Sequence, residues 1–257
     1  MLTMLVIRET QMMAFEKAAI RNFENRMIEH LEEFFPRHCA ILGSDQVRKV
    51  IRLGLERAEK YGLISERDVH LYVGLMFMLG SYFDCDLQLP WAAKILTDKY
   101  ILDPNVRASR LYDRAMAYLN GSAGKDNQYL ERALRKAREL PVSALSRAGE
   151  DKQISFGDYM LKLLYSLFPE KYEAVGDPNV RQLVRQGYQS ARGYNLSSDP
   201  GISTYICLMF MLGSSFDRDP QYPWAEAVLS NASLSDPARK GESLYKSAMA
   251  HLEKWLA

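Results

Sequence analysis

One stretch of 18 residues is written twice in this chain. Leu75 to Ala92 reads LMFMLGSYFDCDLQLPWA and Leu208 to Ala225 reads LMFMLGSSFDRDPQYPWA, with 14 of the 18 positions identical and no gap. Average residue frequencies would give about one match. The same offset of 133 carries Phe35-Pro36 onto Phe168-Pro169 and Gly43 onto Gly176. It carries Val47-Arg48, Arg52 and Gly54 onto Val180-Arg181, Arg185 and Gly187, and Tyr61 and Tyr72 onto Tyr194 and Tyr205. Further on, Asp103-Pro104 meets Asp236-Pro237, and Ala115-Met116-Ala117 meets Ala248-Met249-Ala250. A register held this long reads as a tandem duplication. Whatever one half folds into, the other half must fold into as well.

The local patterns inside each half are helical. Met12, Phe15, Ala19, Phe23, Met27, Leu31 and Phe34 recur at spacings of three and four, which predicts a long amphipathic helix over Arg8–Phe35 that ends at Pro36. A second helix is predicted to Tyr61, with Gly54 on its apolar stripe permitting a close helix contact. Ser65 to Asp68 resembles a capping box, with Asp where Glu or Gln is usual. The helix it opens, Val69 to Leu79, is apolar almost all round and belongs in the middle of a bundle. Gly80 stops it, a loop follows, Pro90 opens a short helix, and Asp103-Pro104 opens a fifth that Gly121 ends. Nothing alternates as a β-strand does. The expectation is an all-α fold of two tandem, internally duplicated helical bundles of about five helices each. The first repeat spans 1–121, a linker with an amphipathic helix 122–153, and the second repeat 154–257. The linker helix, Gln128 to Leu140, has Leu130, Ala133, Leu134, Ala137 and Leu140 on one side. It is expected to bury that stripe and fix how the two bundles meet, with a loop or ragged helix following through Gln153.

Composition narrows the function classes. Lys and Arg number 33 against 32 Asp and Glu, a net charge of +1, so no global field draws the protein to nucleic acid or to an anionic membrane. The basic run Arg132 to Arg138 lacks interleaved aromatics and reads as a solvated helix face. The most apolar run, Tyr205 to Gly213, is far shorter than the roughly 20 residues a spanning helix needs. Arg8 and Glu9 interrupt the apolar N-terminus, which argues against a signal peptide. Cys39, Cys85 and Cys207 are odd in number and widely spaced, the pattern of reduced thiols in a cytoplasm.

The sharpest candidate site is the repeated Phe-Asp-x-Asp loop: Phe83, Asp84 and Asp86, then Phe216, Asp217 and Asp219. Paired carboxylates suit a hard divalent cation. They equally suit turns in which they cap backbone N–H groups or pair with the repeated arginines Arg48, Arg52, Arg181 and Arg185. A calcium EF-hand needs Gly at its sixth position and Glu at its twelfth, where this chain has Leu89 and Ile95, then Tyr222 and Val228. The structural role is favoured. Pro90-Trp91 and Pro223-Trp224 fit either partner anchors or, more readily, plugs of their own bundle with the indole N–H on a carbonyl. His30, His38, His70 and His251 have no histidine at the 133 offset, so a repeated zinc site is not expected. There is no GxSxG, HExxH or P-loop, and no cofactor or metal is assigned.

The run LMFMLGSYFDCDLQLPWA, preceded by the turn Ala58 to Gly62 and the acidic helix start at Asp68, resembles a family of small helical accessory proteins from bacterial type VI secretion effector loci. The likeness covers Met27 to Leu119 and again Met160 to Leu252. Members of that family usually carry one copy, so the duplication is a departure. The resemblance implies a non-enzymatic chaperone or adaptor whose partner is another protein, a secreted effector or toxin. Two alternatives stay open: an immunity protein that neutralises a cognate toxin, and a metal-dependent hydrolase using the repeated aspartates.

Overall fold

A computed structural model describes residues 9–147 and 154–256. Among these residues the protein is all-helical, with no strand. The order is α1 (Glu9–Phe34), α2 (Pro36–Leu42), α3 (Ser44–Glu59), α4 (Glu66–Leu79), α5 (Pro90–Leu96), α6 (Pro104–Ser122) and α7 (Gln128–Glu139). Then come α8 (Phe156–Leu167), α9 (Pro169–Val175), α10 (Asp177–Gly193), α11 (Asp199–Leu212), α12 (Pro223–Leu229) and α13 (Pro237–Leu256). Short 3₁₀ turns at Phe83–Cys85 and Phe216–Arg218 fall on the two Phe-Asp-x-Asp loops.

Local chemistry explains the starts. Ser65 and Ser155 each accept from the N–H of the aspartate three residues on, at 3.1 Å, and Asp103 accepts from Asn105 N–H at 2.9 Å. Pro36 begins α2 rather than merely ending α1, because proline at the first helical position gives up only an N–H that has no intrahelical partner. The glycines Gly54 and Gly187 sit where α3 and α10 cross α4 and α11. A β-carbon there would stand 2.5 Å from Val73 Cγ2 or 2.8 Å from Ile206 Cγ1.

The apolar helices α4 and α11 lie at the centre. Tyr72, Leu75 and Met76 in one, and Ile206, Met209 and Phe210 in the other, are fully or almost fully buried. The buried apolar side chains form one continuous cluster that runs through both halves of the chain. Further contacts cross between the halves: α6 packs on α9, α13 on α2, and Arg37 donates to the Trp255 carbonyl at 2.6 Å.

The helix α7 buries Ala133 and Leu134 and packs on α13 and α8. Its basic residues Arg132, Arg135, Lys136 and Arg138 are exposed, as expected, with Arg132 pairing with Glu170, and at the helix end Tyr245 donates to the Leu140 carbonyl at 3.0 Å. The stretch after Pro141 is a 3₁₀ turn at Val142–Leu145, Arg147 beyond it pairs with Asp199 at 2.8 Å, and residues 148–153 of the expected ragged segment lie outside the described residues. The long α1 departs from its predicted stripe. Met12, Ala19 and Phe34 are exposed, and burial begins only at Glu24 and Met27, where α2 and α3 pack against it. The side chain of Phe15 is outside the described set. The helix at the paired position, α8, starts at the equivalent of Phe23.

Candidate functional site

The two repeated loops meet each other. Gly80 and Gly213 end α4 and α11 with φ of +96° and +112°, a region open to glycine and costly for side chains. The two helix ends come so close that a β-carbon on Gly80 would lie 3.0 Å from the Leu212 carbonyl oxygen. This places the C-terminal turn of each apolar helix against the loop of the other half.

The inner aspartates fasten that contact reciprocally. Asp86 Oδ2 accepts from Ser214 N–H at 2.8 Å, and its Oδ1 accepts from the Ser214 hydroxyl and from Gln88 N–H at 2.8 Å. Asp219 Oδ2 accepts from Ser81 N–H at 2.7 Å. Its Oδ1 accepts from the Ser81 hydroxyl at 2.6 Å and from Gln221 N–H at 2.9 Å. The glutamines complete the exchange. Gln88 Nε2 donates to the Met209 carbonyl at 3.0 Å and Gln221 Nε2 to the Met76 carbonyl at 2.8 Å. The Met76 and Met209 carbonyls already accept from the N–H of Gly80 and Gly213 in their own half, at 2.9 and 3.1 Å, and the glutamine of the other half adds a second donor to each. Ser81, Asp86, Gln88, Ser214, Asp219 and Gln221 are all buried. Burial pushes the Asp219 carboxyl above its ordinary range, against the pull of the Ser81 and Gln221 donors.

The outer aspartates face away from this seam. Asp84 is buried, pairs with Arg57, and accepts from the Tyr61 hydroxyl at 2.8 Å. Asp217 is half-buried and accepts from the Tyr194 and Tyr205 hydroxyls, both at 2.9 Å. Burial, with Asp217 adding to it, pushes the Tyr194 phenol up to about 12. Phe83 and Phe216 are fully buried beneath the loops, against Tyr72 and Tyr205.

The repeated arginines do not reach these loops. Arg48 and Arg52 bind Glu24 of α1, which is 2% exposed, with Arg52 Nε at 2.6 Å from Oε1. Hydrogen bonding to Arg52 holds the Glu24 carboxyl below its usual range. Arg181 pairs with Asp177 one turn earlier at 2.6 Å, and Arg185 is exposed with no ion pair among the described residues. Glu24 was not singled out in sequence because its counterpart is Gly157, so it left no repeated signal.

Pro90 and Pro223 open α5 and α12 as expected, and Trp91 and Trp224 are half-buried. Their indole N–H groups find no acceptor among the described residues, contrary to expectation. The Trp91 ring lies under the Arg114 guanidinium at 5.7 Å, and Trp224 lies 5.5 Å from the His251 ring. Of the unrepeated histidines, His30 packs on Phe34 and His70, while His38 lies against Phe77 and Trp255.

Every aspartate of the repeated loops is thus a hydrogen-bond acceptor already engaged by protein donors. No group of three or more His, Cys, Asp or Glu side chains among the described residues is placed to hold a metal ion. No described helix is long and apolar enough to cross a membrane. The chain matches no family model, no curated protein and no solved structure.

Proposed function

We propose that this chain is a cytoplasmic binding protein without catalytic turnover, made of two tandem copies of one helical unit fastened at their loops, and that its ligand is another protein. The observation that carries this reading is a difference between two equivalent surfaces. In the first half Ile64, Tyr100 and Leu102 are 76%, 96% and 88% exposed, and Val106 is 42% exposed. Arg107 ties these loops together, donating to the Tyr61 carbonyl at 2.6 Å and the Ile101 carbonyl at 2.6 Å. The positions 133 residues later hold Ser197, Ser233, Ser235 and Arg239. One fold position is therefore polar in one half and apolar in the other, and grouped exposed apolar side chains mark interaction surfaces.

On the resemblance to accessory proteins of type VI secretion loci, the partner is a secreted effector and the role is that of a chaperone or adaptor. An immunity protein would use the same surface to block a toxin. The hydrolase reading loses its donors, because the loop carboxylates are taken up in protein hydrogen bonds. The experiment is co-purification with the products of neighbouring genes, using wild type and an Ile64→Ser, Leu102→Ser variant that carries the residues of the second half. Retention of a partner by wild type and its loss from the variant supports the reading. Equal retention by both removes this surface from it. Co-expression then separates the roles: an immunity protein rescues growth from the toxin, whereas a chaperone raises effector yield.

A further inference from the structure

A cavity of about 370 Å³ lies where the two halves meet, apart from the exposed patch above. Phe35, Phe77 and Met78 line it from the first half and Met211, Tyr222 and Trp255 from the second, and it reaches the exposed Asn120 and Asn127. No side chain among its described lining residues carries a formal charge at neutral pH. Its volume falls in the range of small-molecule sites.

His38 is the group in this wall that the rest of the fold does not explain. It is 3% exposed, and neither ring nitrogen has a partner among the described residues. Its ring lies 4.9 Å from Phe77 and 5.0 Å from Trp255, neither of which offers it an acceptor or lone pair. Burial pushes its pKa down to about 4, so near neutral pH it carries one N–H and one lone pair. Leaving a buried donor and acceptor unmade is unfavourable, and the apolar walls cannot supply the missing bonds. His251 nearby is already engaged, accepting from Trp255 Nε1 at 3.0 Å.

We propose that this cavity binds a small neutral aromatic molecule bearing one hydroxyl, with the hydroxyl on His38 and the ring among Phe35, Phe77, Trp255 and the thioethers of Met78 and Met211. An uncharged ligand follows from the uncharged lining, since an ion would be desolvated with nothing to pair it. An aromatic body follows from the ring and sulfur walls, which favour edge and thioether contacts with a ring. The hydroxyl matches a neutral imidazole in both directions, donating to one nitrogen or accepting from the other.

The test uses 2-naphthol as probe, with naphthalene and 2-naphthoate beside it, in titration calorimetry and in ¹⁵N spectra of histidine-labelled protein. Saturable one-to-one binding of 2-naphthol is expected, about tenfold tighter than naphthalene or naphthoate, a hydrogen bond's worth of discrimination. The His38 ring nitrogens should shift on binding while those of His30 stay put. In His38→Phe the advantage of naphthol over naphthalene should vanish. Should that variant fail to fold, the wild-type nitrogen shifts still decide. Absence of saturable binding, an unshifted His38 signal, or an unchanged naphthol preference in His38→Phe would each overturn the proposal.

Discussion

The two Phe-Asp-x-Asp loops share their sequence and differ in their partners, and the difference follows which way each aspartate faces. The inner pair, Asp86 and Asp219, makes the same hydrogen bonds, each to the serine, and through its neighbouring glutamine to the helix end, of the opposite half. The outer pair diverges: Asp84 has a guanidinium and a phenol, whereas Asp217 has two phenols. The reason is a substitution elsewhere, since Arg57 falls opposite Ser190. Contacts that join the halves must fit both sides at once, so a change on one side breaks a bond on the other. Contacts within one half carry no such constraint.

The largest effect should come from the outer loop of the first half. Arg57→Ala strands the buried Asp84 carboxylate with one hydroxyl, and breaking a buried ion pair from one side typically costs about 3–5 kcal/mol. Urea unfolding should report that loss, and Arg57→Met combined with Asp84→Asn should recover part of it. If Arg57→Ala melts like wild type, the pair is not what distinguishes the two loops. Next come the inner residues. Asp86→Ala leaves the Ser214 N–H and hydroxyl unpaired, and Asp219→Ala does the same to Ser81. Each should cost about 3 kcal/mol, at about 1–3 kcal/mol per stranded donor. The sharper expectation is equality. Double-mutant cycles for Asp86 with Ser214→Ala and for Asp219 with Ser81→Ala should agree within about 0.5 kcal/mol. Unequal couplings would break the claim that the seam is reciprocal.

A medium effect separates another pair of equivalent positions, His38 and Lys171. Both are basic groups whose charge burial disfavours: His38 goes from 6.5 to about 4 and Lys171 from 10.5 to about 8. In each case the unfolded chain binds more protons within the window, so stability rises with pH across it. Stability from His38 is complete above pH 6.5 and is lost as pH falls toward 4. Stability from Lys171 is complete above pH 10.5 and is lost as pH falls toward 8. Chemical unfolding at several pH values should therefore show a slope that His38→Phe flattens only in the acid window and Lys171→Met only in the alkaline one. A slope that both variants flatten in one window would show that the two sites do not titrate separately.

Much of this architecture was legible in the chain. The periodicity located the longer helices but not the short α2 and α9, the proline and serine signals located several starts, and the paired glycines at 54 and 187 marked the close crossings. The aspartates were legible as structural acceptors, but their targets were not. An aspartate that receives the N–H two residues on looks the same in sequence whether its remaining lone pairs serve its own half or the other. The signal for the seam was nevertheless present, because Ser81 and Gln88 are identical in both loops while their neighbours Tyr82, Cys85 and Leu87 are not. The arginines misled for the complementary reason. Their repetition suggested a repeated partner, yet Arg48 and Arg52 share Glu24 while Arg181 alone meets Asp177, and Glu24 and Asp177 are unrelated positions. The exposure of Met12 was hidden because an apolar stripe does not say how far the surface beneath it extends.

The smallest effect tests that last point about arginines. Arg48 and Arg52 grip a carboxylate on α1, and the equivalent site on α8 is Gly157, beside Asp158, which already lies 3.6 Å from Arg181. A β-carbon at Gly157 meets nothing closer than Ser155 Oγ at 3.8 Å, so a longer side chain fits there. Gly157→Glu should rebuild the arrangement of the first half. Part of its gain will come from replacing glycine in a helix, and part from a negative charge in a first turn, so Gly157→Gln and Gly157→Ala are the comparators. The ion-pair contribution is what Glu gains over Gln in wild type but not in an Arg181→Ala background. It should amount to about 1–2 °C in Tm, as for an exposed pair, and should shrink in 0.5 M salt. A Glu advantage that survives the loss of Arg181 belongs to the helix terminus. In that case the arginine pair of the second half cannot be recruited by restoring its missing carboxylate.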